Sequence, residues 1–336
     1  MAKAPHDIGV NRRFDIHPDM RDLLAAKDAV PKTTDSDSLR SGWVAYAASM
    51  QRPYPQGMHV ADTALHCAHQ ASAGAIPVRI YRPQGAPQPS PCVVYLHGGA
   101  FIKGSPDSGD PIAWGVADHV GCVVVSVDYR LAPENPFPAG VEDSYAVVHH
   151  LAKHGRGLDI DPDRLAVWGD SAGGNMAAAV CLMARDRAGP RILAQALNYA
   201  CLTDELDAPA YSLYKDAPVT TASIDRAWSL YLGNRRPTRN HYAAPLKSAD
   251  LSNMAPAHIH FAEIDCLADD SRQYAERLKV AGNRVVLRSA NRMIHGFLRA
   301  RFTGPDAAAE FAAPCTFLRE ILFGSAAHEQ QAGQTA

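Results

Sequence analysis

The chain has 336 residues, 47% of them hydrophobic and 20% charged, and its 33 basic and 35 acidic side chains give a formal net charge of -2. This near-neutral balance gives no electrostatic reason to expect a nucleic acid or an anionic membrane as a partner. Glycine and proline occur at ordinary frequencies, which excludes a fibrous or disordered class. A chain of this length can bury a large core without disulfide bonds.

The cysteines and the apolar runs indicate the compartment. Seven cysteines are scattered without a CxxC pair, a pattern that favours reduced thiols over a disulfide framework or a zinc site. The N-terminal stretch has no apolar core of the signal-peptide type. The longest charge-free, mostly apolar run, residues 171–184, has 14 residues and is too short to span a membrane. We therefore expect a soluble, cytoplasmic protein without stable membrane insertion.

The first elements in chain order are helical. Residues 17–51 predict two helices with narrow apolar faces, and in the second of them Leu39, Trp43 and Tyr46 recur at helical spacing. After a proline-containing break, residues 76–82 alternate between apolar and polar side chains, which is typical of a half-buried strand.

From Cys92 onward, short apolar runs alternate with helix-length segments. Runs of this kind, rich in Val, Leu and aromatic residues, are typical of parallel strands that are covered on both faces. The predicted strands are residues 92–96, 122–129, 164–169, 193–199, 258–264 and 284–290, and the predicted helices are residues 111–119, 139–154, 171–186, 270–281 and 306–323. The alternation predicts a doubly wound α/β sheet. Residues 204–250 interrupt it, with one predicted helix at 222–232, and we interpret them as an insertion.

A candidate nucleophile lies between a predicted strand and a helix of small residues. Residues 169–173, Gly-Asp-Ser-Ala-Gly, match the pattern G-x-S-x-G. A sharp strand-to-helix turn holds such a serine in a strained conformation, and the flanking glycines avoid clashes. The helix N-terminus behind the serine favours developing negative charge. We expect Ser171 to be a nucleophile; the alternative is a chance match at the start of a helix.

A second glycine motif, His-Gly-Gly-Ala-Phe, follows the strand predicted at residues 92–96. Acyl transfer needs hydrogen-bond donors where the carbonyl oxygen becomes an oxyanion, and backbone amides are suited to this because their positions are fixed. The predicted donors are the amides of Gly98, Gly99 and Ala172. Standing alone, the motif would be read as a Gly-Gly turn, but its position upstream of the serine motif favours an oxyanion hole. Phe101, directly after the oxyanion loop, is expected to line an acyl pocket.

A serine nucleophile also needs a base and an acid that orients the base. Asp265 and His295 each follow a predicted strand, and the chain order Ser, Asp, His is the one found with the G-x-S-x-G motif. His295 is predicted to take the proton of Ser171 and return it to the leaving group, while Asp265 holds the imidazole tautomer. Asp269 or Asp270 is the alternative acid.

With these motifs the sequence resembles the bacterial hormone-sensitive lipase family of carboxylesterases, over residues 77–323. The resemblance includes the run DYRLAPE at 128–134, in which Arg130 and Glu134 are implied to brace the oxyanion loop. It implies the α/β-hydrolase fold, a mostly parallel central sheet flanked by helices and covered by a helical cap. The implied division is N-terminal cap helices at 1–55, a catalytic domain at 56–203 and 251–324, a cap insertion at 204–250 and a disordered tail at 325–336.

Three positions depart from the family pattern. Ala100 replaces the third glycine of the His-Gly-Gly-Gly motif, which leaves both expected donor glycines in place. Cys266 follows Asp265 where the family has proline, and this places a thiol near the predicted acid. Arg292 precedes His295 in a segment where the family usually has glycine, so it is expected to change the loop at the pocket mouth.

The resemblance implies a serine carboxylesterase that hydrolyses short- to medium-chain acyl esters of small molecules through an acyl-enzyme. No cofactor and no metal are expected, and the chain is expected to be a monomer or homodimer. A lactone, amide or acetylated-sugar hydrolase would use the same three residues. A binding protein without catalysis is a further alternative, against which the presence of His295 argues. The pair His258 and His260 is expected to pack within a strand and not to bind a metal.

Overall fold

The computed structural model describes residues 14–30, 35–69 and 72–324. Its strands are β1 (His59–His69), β2 (Ser72–Arg82), β3 (Ser90–Leu96), β4 (Val123–Val127), β5 (Ile160–Asp170), β6 (Ala194–Asn198), β7 (Ala257–Ile264) and β8 (Val285–Ile294). They form one sheet in the order β1-β2-β4-β3-β5-β6-β7-β8. β2 pairs antiparallel with β1 and β4, and the strands from β4 to β8 pair in parallel, which confirms the predicted mostly parallel sheet.

Helices cover both faces of this sheet. They are α1 (Arg21–Asp28), α2 (Ser36–Ser49), α3 (Pro106–Val120), α4 (Ala139–His154), α5 (Ala172–Asp186), α6 (Pro209–Leu213), α7 (Thr221–Leu232), α8 (Ala268–Val280) and α9 (Pro305–Phe323). In the part of the chain that the structure describes, none of them combines the length and the apolar character that crossing a bilayer requires.

The uninterrupted apolar strands follow from this two-sided cover. Every residue of β3, β4 and β6 is buried. Because neighbouring side chains on a strand point to opposite faces, Val93 packs into one core cluster and Val94 into the other. One cluster lies under α4, α5 and α8, and the other lies under α3 and α9. The parallel strands therefore end at one shared edge, where loops can bring side chains together.

Most predicted elements are confirmed, and helix 139–154 has the predicted bounds. β1 and α6 were not predicted. β1 is an edge strand whose sequence, HVADTALHCAH, mixes apolar and polar residues, and Leu65 and Cys67 are buried in it while Ala61, Asp62 and Thr63 are exposed. α6 has only five residues, too few for a periodic pattern. The tail at 325–336 lies outside the described residues, and the division into catalytic domain and cap stays a prediction.

Candidate active site

The serine of the G-x-S-x-G motif lies at a sharp turn between β5 and α5. Ser171 has φ = 57° and ψ = -119°, a conformation that residues with side chains rarely adopt. A Cβ added to Gly169 would lie 2.0 Å from the carbonyl oxygen of Gly173, and one added to Gly173 would lie 1.9 Å from that of Leu96. Neither position has room for a side chain. The motif therefore forms the strained turn that its sequence predicts.

The structure brings Ser171 into contact with the predicted base, and the base into contact with the predicted acid. Oγ of Ser171 lies 2.9 Å from Nε2 of His295, and Nδ1 of His295 lies 2.7 Å from Oδ2 of Asp265. The other oxygen of Asp265 accepts a hydrogen bond of 3.1 Å from the amide of Leu267, which fixes the orientation of the carboxylate. Asp265 is 1% exposed and His295 is 7% exposed, so bulk water does not compete for these contacts.

The two alternative acids have other partners. Oδ2 of Asp270 accepts hydrogen bonds from the amides of Leu202 and Thr203, and its Oδ1 accepts one from the hydroxyl of Tyr211. Burial raises the pKa of Asp270 to about 7, against the effect of these donors. Asp269 accepts from the amide at the start of α6 and pairs with an arginine one turn further along α8. Neither carboxylate contacts His295, so the geometry favours Asp265.

One of the predicted oxyanion donors is already engaged. The amide of Gly98 donates to Oδ1 of Asp170 over 3.2 Å, and the hydroxyl of Tyr95 donates to the same oxygen over 2.7 Å. The N–H of Gly98, an expected oxyanion donor, is therefore not free in this structure, because the buried carboxylate beside Ser171 accepts it. Among the described residues, no hydrogen bond engages the amides of Gly99 and Ala100, which follow with φ = 146° and 57°.

The loop after β3, residues 97–104, is called the glycine loop, and buried side chains brace it. The ring of His97 stacks on Tyr129 with centroids 4.3 Å apart, and Tyr129 donates a hydrogen bond to the His97 carbonyl oxygen. Burial lowers the pKa of His97 to about 4, so its imidazole is neutral. Arg40 donates to the carbonyl oxygen of Ile102 and pairs with Glu134. Glu134 thus acts on the loop through Arg40.

The arginine of the DYRLAPE run pairs with a helix. The guanidinium of Arg130 pairs with Asp143 of α4, with a shortest contact of 2.8 Å. The amide of Arg130 donates to the same carboxylate over 3.1 Å. These contacts tie the segment after β4 to α4.

A cavity of ≈ 200 Å³ opens in front of Ser171 and His295. The cavity is small beside the roughly 300–1,000 Å³ of pockets for drug-sized ligands. Its apolar lining comes from α2, from α7 and from the residue after β6, namely Leu39, Trp43, Tyr46, Ile224, Ala227 and Tyr199. The ring of Tyr199 lies 4.8 Å from that of His295.

Phe101 does not line this cavity, and that prediction is wrong. Its ring is 1% exposed and stacks on Tyr231 of α7, with centroids 3.9 Å apart and planes inclined by 7°. Trp228 of the same helix packs against it at 5.2 Å. Because the ring of Phe101 packs against the aromatic face of α7 and away from the cavity, it holds α7 against the glycine loop.

The two remaining departures from the family pattern have structural roles. Cys266 is buried, its thiol donates to the carbonyl oxygen of Val219, and burial raises its pKa, so it is no rival nucleophile. Arg292, with φ = 58°, pairs with Asp15, and its amide donates to Glu263. It does not line the cavity and ties the N-terminal segment to β8 instead.

Two histidine and carboxylate clusters outside the cavity have partners within the protein. His260 of β7 is hydrogen-bonded to Glu310 of α9, as expected for a strand histidine that packs. In the described part of the chain, His17, Asp19 and Asp306 bring three potential metal ligands within 4.8 Å of one another. Oδ2 of Asp19 already accepts the amides at the N-terminus of α9, which accounts for the cluster without an ion.

Four basic residues that no motif singled out also line the cavity: Lys27, Lys103, Arg226 and Arg299. They come from α1, the glycine loop, α7 and the turn after His295. No local pattern marks them, because only the fold brings these segments together.

Comparison with known proteins agrees with this geometry. Residues 93–299 match the family described as the alpha/beta hydrolase fold. The carboxylesterase NlhH of Mycobacterium tuberculosis is 40% identical over 237 residues, which cover 69% of this chain and 74% of that protein. The esterase LipI of the same organism is 34% identical over 307 residues, which cover 90% and 95%.

Solved structures give the same result over most of the chain. A thermostable esterase from Pseudomonas putida superposes with a TM-score of 0.85 at 27% identity, covering 91% of this chain and 98% of that one. An esterase from Pyrobaculum calidifontis superposes with a TM-score of 0.81 at 32% identity, covering 91% and 98%. The chain therefore belongs to the hormone-sensitive lipase-like carboxylesterases of the α/β-hydrolase fold.

Proposed function

We propose that ester hydrolysis by this protein begins with attack of Ser171 Oγ on the carbonyl carbon of the ester. As the bond forms, Nε2 of His295 takes the hydroxyl proton, and Asp265 holds the ring and stabilises the imidazolium. The observation that carries this proposal is the continuous chain of contacts, 2.9 Å from serine to imidazole and 2.7 Å from imidazole to carboxylate.

The remaining steps return every group to its starting state. The tetrahedral intermediate collapses, His295 gives its proton to the leaving oxygen, and an alcohol departs while the acyl group stays on Ser171. Water then attacks the acyl carbon, its proton passes to His295, and collapse releases the carboxylic acid as the proton returns to Oγ.

The oxyanion of both intermediates is held, in this proposal, by the amides of Gly99, Ala100 and Ala172. Ala172 is the first residue of α5, where backbone N–H groups have no partner within the helix. Gly98 serves indirectly, since its bond to Asp170 fixes the start of the loop. Fixed amides in a site with little water stabilise developing charge at no cost in reorganisation.

The size and lining of the cavity favour short- to medium-chain acyl groups in the substrate. Its volume of ≈ 200 Å³ and its lining of aromatic and aliphatic side chains fit a short hydrocarbon chain. A chain longer than the cavity would have to leave its apolar walls, so each further methylene would add little binding energy.

A series of p-nitrophenyl esters from two to sixteen carbons tests this function. We expect kcat/KM to be highest among the short chains and to be at least about tenfold lower for the longest, because one methylene in a fitted pocket is worth 1–3 kcal/mol at most. Initial rates for wild type beside Ser171→Ala measure it. A maximum at the long end would contradict the acyl preference. If the wild type hydrolyses none of these esters but does hydrolyse a lactone, an amide or an acetylated sugar, the result would favour a hydrolase of that other substrate class.

Gly173→Ala is expected to lower kcat/KM on p-nitrophenyl butyrate by at least about 10²-fold, the effect of losing an oxyanion donor. The new Cβ would lie 1.9 Å from the carbonyl oxygen of Leu96 and 2.7 Å from that of His97, so the glycine loop must move. Gly157→Ala is the matched control, because a Cβ there meets nothing within 4 Å. Equal activity of the two variants would contradict the role of the loop, and Tm values separate lost activity from lost folding.

A further inference from the structure

The cavity in front of Ser171 is basic although the whole protein is not. Four of its lining residues are basic and one, Asp170, is acidic, whereas the chain as a whole has 33 basic and 35 acidic side chains. A concentration of one charge sign in a cleft with low-dielectric walls attracts ligands of the opposite sign.

Two of the basic side chains have no carboxylate partner in the part of the chain that the structure describes. Among the described residues, no ion pair involves the ammonium group of Lys27 or of Lys103. The Lys103 nitrogen lies 4.7 Å from the centroid of the Trp43 ring, a cation–π contact that leaves the charge uncompensated. Arg226, by contrast, has a partner of its own.

Arg299 is more deeply placed and is only partly satisfied. It is 4% exposed, and its Nη1 donates to the carbonyl oxygen of Ser108 over 2.7 Å. Its Nη2 is buried without a hydrogen-bond partner among the described residues. The guanidinium carbon lies 5.5 Å from the centroid of the Trp43 ring and 5.7 Å from that of Tyr46, so Arg299 adds positive charge to the wall of the cavity.

The nearby acids attract the cations but accept hydrogen bonds from other groups: Asp265 acts on Lys27 and Asp170 on Arg299. Asp265 is bound to His295, and Asp170 accepts from Tyr95 and Gly98. The pKa of Lys27 is lowered to about 8, first by burial and then by the charges of Lys103 and Arg299, against the attraction of Asp265. The cations thus repel one another, and an anion between them would relieve that repulsion.

We propose that the preferred substrates of this esterase carry a carboxylate close to the scissile ester, and that Lys27, Lys103 and Arg299 bind that carboxylate. The inference rests on the proposed function and specifies its substrate class. Ion pairing in a partly desolvated cleft gives both affinity and orientation. The carboxylate can belong to the acyl part or to the alcohol part of the ester, and the experiment distinguishes the two.

The test compares matched anionic and neutral esters by the ratio of their kcat/KM values. For the acyl part, mono-p-nitrophenyl glutarate is compared with p-nitrophenyl pentanoate. For the alcohol part, 3-acetoxybenzoate is compared with 3-acetoxybenzamide. We expect the wild type to prefer the anionic ester in one of the two pairs by at least about tenfold, the least that a hydrogen bond to a charged group contributes.

Lysine variants identify the residues that carry the preference. Lys27→Met and Lys103→Met keep an unbranched side chain but remove the charge, and each is expected to lower the anionic-to-neutral ratio by about tenfold. Lys279→Met, on the exposed face of α8, is the matched control and should leave the ratio as in wild type. Taking a ratio cancels any effect of a variant on the reacting residues that both esters share.

Two measurements on the wild type test the inference even if a variant does not fold. The ratio should fall as salt is added, because salt screens the ion pairs. It should also fall as pH rises through about 8, since Lys27 then loses its proton and its charge. A ratio of one or less in both pairs, or a ratio that neither salt nor the lysine variants change, overturns the inference while the esterase function stands. Failure of the wild type to hydrolyse any of the four esters overturns the proposed function, and the inference with it.

Discussion

Ser171→Ala is expected to lower kcat for ester hydrolysis by about 10⁴–10⁶-fold, because the proposed mechanism acylates this hydroxyl. The residual rate would come from the amides around the oxyanion and from binding alone. Serine and histidine act as one unit, so the double variant Ser171→Ala/His295→Ala should be no less active than either single variant. Initial rates on p-nitrophenyl butyrate measure all three variants.

The control for this prediction is a serine outside the cavity. Ser229 is exposed on α7, where its hydroxyl bonds to the Asp225 carbonyl oxygen and to Arg236, so Ser229→Ala should leave kcat near that of wild type. A fluorophosphonate should label Ser171 in the wild type and leave Ser171→Ala unlabelled, as intact-mass measurement would show. A Ser171→Ala protein with activity within tenfold of wild type would exclude this residue as the nucleophile.

The residues that the sequence identified share one property, a local signal. Ser171 lies in a strand–turn–helix pattern that requires glycines at fixed positions, and the structure has those glycines where a side chain would collide. Asp265 and His295 follow recognisable strands, and parallel strands end at one edge of a sheet. The two side chains are 2.7 Å apart because both strands end at that edge, and the short strand segments in the sequence already predict this arrangement.

The features that sequence reasoning missed depend on contacts between distant segments. Gly98 and Asp170 are 72 positions apart, and only the pairing of β3 with β5 makes the carboxylate an acceptor for that amide. Phe101 was expected at the pocket, but an aromatic helix more than 100 residues later takes its ring. Lys27 reaches the cavity from α1, a helix whose sequence gives no sign of the site.

Asp265→Asn is the second prediction with a large effect, and it decides between the three candidate acids. The amide of Leu267 fixes one oxygen of Asp265 while the other faces Nδ1 of His295. An asparagine in that place either presents an NH₂ group to Nδ1 or loses the bond to Leu267, and the first choice favours the wrong imidazole tautomer. We expect kcat to fall by about 10⁴-fold, as it does when the orienting acid of a serine triad becomes an amide.

The matched comparison is Asp270→Asn, five positions along the same segment. That carboxylate accepts hydrogen bonds from the amides of Leu202 and Thr203 and from the hydroxyl of Tyr211, and an amide group cannot accept all three. Its loss should therefore lower Tm, while kcat measured well below Tm stays close to wild type. The two variants thus separate orientation of the base from support of the fold. The opposite result, with Asp265→Asn active and Asp270→Asn folded but inert, would move the orienting role to Asp270 and would require His295 to turn away from the contact that it makes in this structure.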